Sequence, residues 1–173
     1  MAGMGRKTLA SFVVGAWLGA TIFMWSVATQ NFHIVDRLLA SPTPALQAHI
    51  AALSPGEARL LMRYQASEVN RLFFDRWGWA QILLGSIFLW LVLRSSADRH
   101  LRAVAVLMLL IAVALQLGVV PETIRLGRVL DFAVRNPPPP ETALFWRLHA
   151  AYTTLDMVKF LLGIYGLVRL LRN

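Results

Sequence analysis

The chain has no cysteine. That absence removes disulfides, thiolate nucleophiles and Cys-ligated zinc or iron–sulfur centres from consideration. Charge is also scarce, at 15% of residues against 57% hydrophobic ones. A water-soluble domain is closer to half apolar and a quarter charged. Acids are scarcer still, nine Asp and Glu against 17 Lys and Arg, for a net charge of +8. Such a surplus can signal nucleic acid, but no basic run with interleaved aromatics occurs. The cations instead flank apolar stretches a few at a time. No GxSxG, Walker or GxGxxG motif is present, so the familiar signatures of soluble catalysis are missing.

Three stretches, Leu9–Thr29, Trp77–Leu93 and Ala103–Val120, contain no charged residue, and Leu148–Val168 is equally apolar apart from His149, Asp156 and Lys159. About 20 helical residues cross a bilayer core of roughly 30 Å. Inside that core only helices and closed barrels satisfy the backbone. The pattern predicts a single all-α domain over 1–173, a polytopic four-helix antiparallel transmembrane bundle. Its spans fall near 9–29, 77–93, 103–120 and 148–168. The first could be a signal peptide, with Arg6-Lys7 ahead and Ser26-Val27-Ala28 as a small-x-small site. Its apolar run exceeds the roughly 7–15 residues of such leaders, and it is read as a span.

Arg6, Lys7, Arg94, Arg99, Arg102, Arg169 and Arg172 fall on one side of this arrangement, in short segments. The positive-inside rule makes that side cytoplasmic, with both termini; the membrane is expected to be a bacterial inner membrane. Trp77, Trp79 and Trp146 then mark the outer interface and Trp90 the inner one.

Helical extensions are expected on the outer side, over about 43–74 and 122–140. Ser54-Pro55-Gly56-Glu57 reads as a capping box with Pro at the first helical position. The helix it starts should run without a breaker into Trp77. Along it Glu68, Arg71 and Asp75 are spaced for intrahelical ion pairs. A short helix around Ala45–Leu53 should follow Ser41-Pro42. The third span should continue past Pro121 with a kink, since Leu126, Val129, Leu130 and Ala133 keep a helical apolar face. Pro137–Pro140 reads as an extended linker, with the last helix starting near Glu141.

On that helix His149, Tyr152, Thr153, Asp156 and Lys159 share an arc of roughly 120° with Gly163. A charge at a helix centre costs roughly 2.5–3.5 kcal/mol on insertion scales, so the stripe must face the bundle interior or water. Asp156 and Lys159, three apart, can neutralise each other. The stripe is either a path for a proton, ion or ligand, or an ion pair that fixes helix register. His33, Asp75, Arg76, Glu122 and Arg125 form a second polar group at the outer leaflet. With carboxylates, His33 and His149 are candidate metal ligands; alone, they are candidate axial haem ligands. No spacing signature supports either, and no cofactor is expected. Ser11, Gly15 and Gly19 make a small-residue face suited to close helix approach, within the bundle or against a partner. Gln81 with Gly85, and Gln116 with Gly118, suit interhelical contacts.

The segment "ALFWRLHAAYTTLDMVKFLLG" resembles the last helix of the transmembrane protein 205-like family, an integral-membrane domain of unknown function. Members there show an aromatic before His, a small residue after it, hydroxyls three or four on and Asn seven on. Here these positions are Phe145 or Trp146, His149, Ala150, Tyr152 with Thr153, and Asp156. "GAWLGATIFMW", "EVNRLFFDRW" and "VVPETIRLGR" (with Pro121, Thr123 and Arg125) fit the same pattern in order along the chain. Ala150 departs from the usual Gly. Asp156 departs from Asn, adding a charge that Lys159 must answer. The resemblance implies a four-helix membrane fold and supplies no reaction, substrate or cofactor.

The expectation is therefore a non-enzymatic accessory or scaffold subunit of a membrane complex, or a self-associating bundle. Its partners would be the lipid bilayer and other membrane subunits or further copies, without nucleic acid. The alternatives are a small proton or metal-ion transporter using the polar face of the last helix, and a haem- or metal-binding membrane protein using His33 and His149.

Overall fold

The computed structural model describes residues 2–95, 98–133 and 136–172, with the side chains of 2–4 left out. All regular structure among the described residues is helical. In chain order, α1 is Ala2–Ala40, α2 Pro44–Ile50, α3 Pro55–Leu93 and α4 Arg99–Ala114. A π-helical turn, Leu115–Val119, joins α4 to α5, Val120–Leu130, and α6 is Glu141–Arg172.

Three helical stretches, Gly5–Ala40, Pro55–Leu93 and Arg99–Leu130, are long and apolar enough to cross a membrane. The architecture is that of a multi-pass membrane protein. Helix α6 is as long as the third of these, but His149, Asp156 and Lys159 dilute its apolar character.

Local signals explain the boundaries. Ser54 and Glu57 close a reciprocal capping box at the start of α3, satisfying amides that a helix start leaves orphaned. Thr43 caps α2 through the Leu46 N–H, and this helix is shorter than the expected Ala45–Leu53 segment. Asp98 caps α4 through the Leu101 N–H at 2.8 Å. That bond, with Arg169 alongside, holds the Asp98 carboxyl below its ordinary range. Helix α1 runs well past the expected end of the first span near Thr29, because nothing interrupts it before Pro42.

Ahead of Pro121, where a kink is expected, the helix changes its hydrogen-bond pattern. A proline ring collides with the carbonyl four residues back and offers no N–H. The chain widens just ahead of it, so that the Val120 N–H bonds to the Leu115 carbonyl, five residues back. Helix α5 then continues in α geometry with Pro121 in its first turn.

Each long helix packs on two others: α1 on α3 and α6, and α4 on α3 and α6. Contacts between α1 and α3 pair early residues of one with late residues of the other. Arg6 donates to the Arg94 carbonyl, Trp17 meets Gln81, Asn31 meets Asn70 and Asp36 meets Arg59. The apolar core lies toward the Arg6–Arg94 end, where Val14, Trp17, Phe88, Leu91, Val92, Ala105 and Met108 are fully buried. Between helices in hydrocarbon, such burial gains close van der Waals packing rather than a hydrophobic driving force. Gly85, Gly163 and Gly166 permit this packing: a Cβ at Gly163 would press into Leu18 and Met108, and one at Gly85 into Trp17 and Leu109. Many large apolar side chains face outward instead, among them Phe12, Phe23, Leu83, Leu110 and Leu161. An apolar exterior on this scale suits hydrocarbon as the surrounding solvent.

Candidate functional site: a buried ion pair beneath a cavity

Where the α6 stripe turns inward it is dry. Asp156 and Lys159 are 2% and 1% exposed, so charges here persist only if fully answered. The Lys159 ammonium donates to Asp156 and to Gln81 of α3. The other Asp156 oxygen accepts from the Trp25 indole N–H at 2.8 Å. Trp17 completes the set, its indole N–H donating to the Gln81 carbonyl oxygen at 3.2 Å. The same ring lies 5.8 Å from the Lys159 nitrogen, within reach of a cation–π attraction. Helices α1, α3 and α6 thus converge on one closed network.

The rest of the stripe is wetter. Tyr152 is half-buried, edge-on to Phe74 with ring centroids 5.4 Å apart, and interacts with Gln81. His149 and Thr153 are exposed. Thr153 donates back to the His149 carbonyl, and the His149 ring stacks on Phe145 at 6.2 Å.

A cavity of about 870 Å³ opens above the network, between α1, α3, α5, α6 and the Pro138–Pro139 linker. Trp25, Thr153, Asn70, Phe74 and His149 line its deep end; Phe32, Arg63 and Tyr64 line its shallow end. The shallow end is braced by ion pairs. Arg71 grips Asp131, just past the end of α5, in a bidentate pair at 2.7 and 2.8 Å and also holds Glu68 at 2.6 Å. Arg128 closes the square on Glu68 at 3.0 and 3.1 Å. The Arg128 hydrogen bonds, with those of Arg71, hold the Glu68 carboxyl down at about 2. Gly127 lets Arg71 through, since a Cβ there would touch the guanidinium.

The outer polar group is dispersed. Of His33, Asp75, Arg76, Glu122 and Arg125, only Glu122 and Arg125 interact with each other, at 2.6 and 2.8 Å. His33 and Arg76 are exposed. The expected Glu68–Arg71 pair forms, but Asp75 accepts from Gln116 of the π-helical turn at 3.1 Å instead of joining them. Among the described residues no group of three or more His, Cys, Asp or Glu is arranged to hold a metal ion. On α1, Ser11 bonds back to the Lys7 carbonyl, and a Cβ at Gly15 or Gly19 would meet open space. Close approach occurs elsewhere, at Gly78, where a Cβ would overlap the Gln116 side chain.

The pairings that build this site were hidden by distance along the chain. Trp25 and Asp131 carried no sequence signal beyond being polar atoms near span ends. A tryptophan whose N–H must find an acceptor when buried was the one available hint for Trp25.

Fold and site define the class: a multi-pass helical membrane protein with an interior ion pair and a vestibule at one end. Comparison with protein-family models, curated proteins and solved structures finds no match to this chain.

Proposed function

We propose that the chain is a four-span antiparallel bundle of a bacterial inner membrane, with cytoplasmic termini. In this reading it acts as a non-enzymatic accessory or scaffold subunit, or as a self-associating bundle. It would be a divergent member of the transmembrane protein 205-like family, with Asp156 in place of the family's Asn. The carrying observation is the closed Asp156–Lys159–Gln81–Trp25 network, whose buried polar groups answer one another rather than presenting a reactive atom. The opposed order of α1 and α3 contacts supports antiparallel spans, and Arg6, Arg94 and Arg169 near one end support the orientation.

Two measurements test this. The chain lacks cysteine, so single-Cys variants label unambiguously. A membrane-impermeant maleimide on intact cells should modify Ala48→Cys and spare Gly5→Cys; the reverse pattern refutes the orientation. Native mass spectrometry after mild solubilisation should show further subunits or copies. A bare monomer, with no cross-linked partner in native membranes, refutes the association role.

A second reading, proton or ion carriage, draws on one observation: the cavity reaches Trp25 and Thr153, and Trp25 bonds directly to Asp156. It requires Asp156→Asn to abolish flux in proteoliposomes without unfolding the protein. The packed core on the far side of Lys159 argues for the first reading.

A further inference from the structure

The outer cavity has a use that neither the ion pair nor association explains. We propose that it binds a single-chain anionic amphiphile, tail inward and head at Arg63. The proposal rests on the membrane placement above, which the thiol-labelling experiment tests separately.

Size and lining come first. At about 870 Å³ the cavity falls within the roughly 300–1,000 Å³ of small-molecule sites, which are mostly apolar with a few placed polar groups. Its walls follow that pattern, with Trp25, Phe32, Phe74 and Phe145 among them. From Phe74 to Tyr64 along α3 is about 15 Å at 1.5 Å per residue, room for a medium-length acyl chain. The deep end sits at the first turns of the span, and the shallow end projects among the charged residues of the collar. A bilayer lipid of the outer leaflet meets the same gradient in the same direction.

The head's charge follows from counting which ions are already answered. Arg71 and Asp131 neutralise each other, and Glu68 is shared between Arg71 and Arg128. Arg63 has only a distant claim on Asp36, at 3.8 Å, because that carboxylate bonds Arg59 at 2.8 Å. Its guanidinium lies 4.9 Å from the Phe32 ring centre, which fixes the plane and leaves donors available at the mouth. A guanidinium held only by a 3.8 Å ion pair, set over an apolar shaft, selects a carboxylate or phosphate attached to a hydrocarbon. His149, with ring contacts to Phe145 and Trp146, adds a polar contact partway down.

The test uses the full chain in phosphatidylcholine nanodiscs, with terminally brominated dodecanoate as a fluorescence quencher and the Trp25 signal read as the difference from a Trp25→Phe variant, since the chain has six tryptophans. Quenching should saturate. Dodecanoate and dodecyl phosphate should both reverse it, their ratio separating a fatty-acid head from a phospholipid-type head. Dodecanol should compete at least about tenfold less well, since a charge-assisted hydrogen bond is lost. Arg63→Gln should weaken the anionic ligands about tenfold and leave dodecanol unchanged. Non-saturating quenching, or equal competition by dodecanol on the unaltered chain, overturns the proposal, as does competition by inorganic phosphate alone. A folded Arg63→Gln variant with unchanged binding overturns it too.

Discussion

Two ion-pair systems, one of Asp and Lys and the other of Glu, Asp and Arg, hold opposite positions in this molecule. Asp156 and Lys159 lie in the packed interior with side chains 3% and 1% exposed. Glu68, Arg71, Arg128 and Asp131 tie the collar together with exposures from 10% to 60%. The inner pair is isolated from water, so its value is defined by what happens when one member is removed. The collar network exchanges with solvent, so pH and salt reach it. Architecture is held by the first, and the shape of the cavity mouth by the second.

The largest expected effect breaks the inner pair. Lys159→Met strands Asp156 in a dry site and should cost about 3–5 kcal/mol, whereas Lys159→Met combined with Asp156→Leu should recover most of it. Denaturant titration in detergent micelles would show both. If the double variant were as damaged as the single, burial of the unpaired charge would not be the cause. Next comes packing beside Gln116. Gly78→Ala forces that side chain to move and should destabilise by about 1–3 kcal/mol. Gly19→Ala, facing open space, should be neutral or stabilising by up to about 1 kcal/mol, by the same titration.

The collar should respond to acid. The Glu68 carboxyl is lowered to about 2 when folded, against about 4.3 in an unfolded chain. Its contribution is therefore fully present above about pH 4.3 and is lost as pH falls towards 2. Protection factors of α5 amides, exchange rates divided into the intrinsic rate at each pH, should fall below pH 4 in the unaltered chain. Glu68→Gln should lower them already at pH 7 and flatten their pH dependence. The smallest effect belongs to Glu122 and Arg125, an exposed pair on α5. Arg125→Ala should leave the melting temperature unchanged within error.

Much of this fold was legible because membranes simplify the code. Uncharged runs gave the cores of α1, α3 and α4, and the Ser54–Glu57 box gave the start of α3. The inward turn of Asp156 and Lys159 followed from the cost of charge in hydrocarbon. Register between helices did not follow. Trp25 finds Asp156, and Gln81 finds Lys159, only after α1, α3 and α6 have been rotated and slid into place, and apolar periodicity leaves both freedoms open. Arg71 illustrates the same limit: its intrahelical partner Glu68 was readable from spacing, its stronger bidentate partner Asp131 was not. The full length of α1 was recoverable, since no Gly or Pro stands between Gly19 and Pro42.

The π-helical turn between α4 and α5 deserves to be thought of as a phase shifter. An α-helix advances about 100° per residue, so one residue accommodated in a wider turn sets everything after it in a new angular frame. Helix α5 uses that frame to aim Asp131 at Arg71 and to lay Gly127 beneath it. Shortening Leu115–Val119 by one residue would keep every side chain of the collar and swing them together away from α3. The mouth of the cavity is thus timed by the length of this turn as well as by the residues that line it.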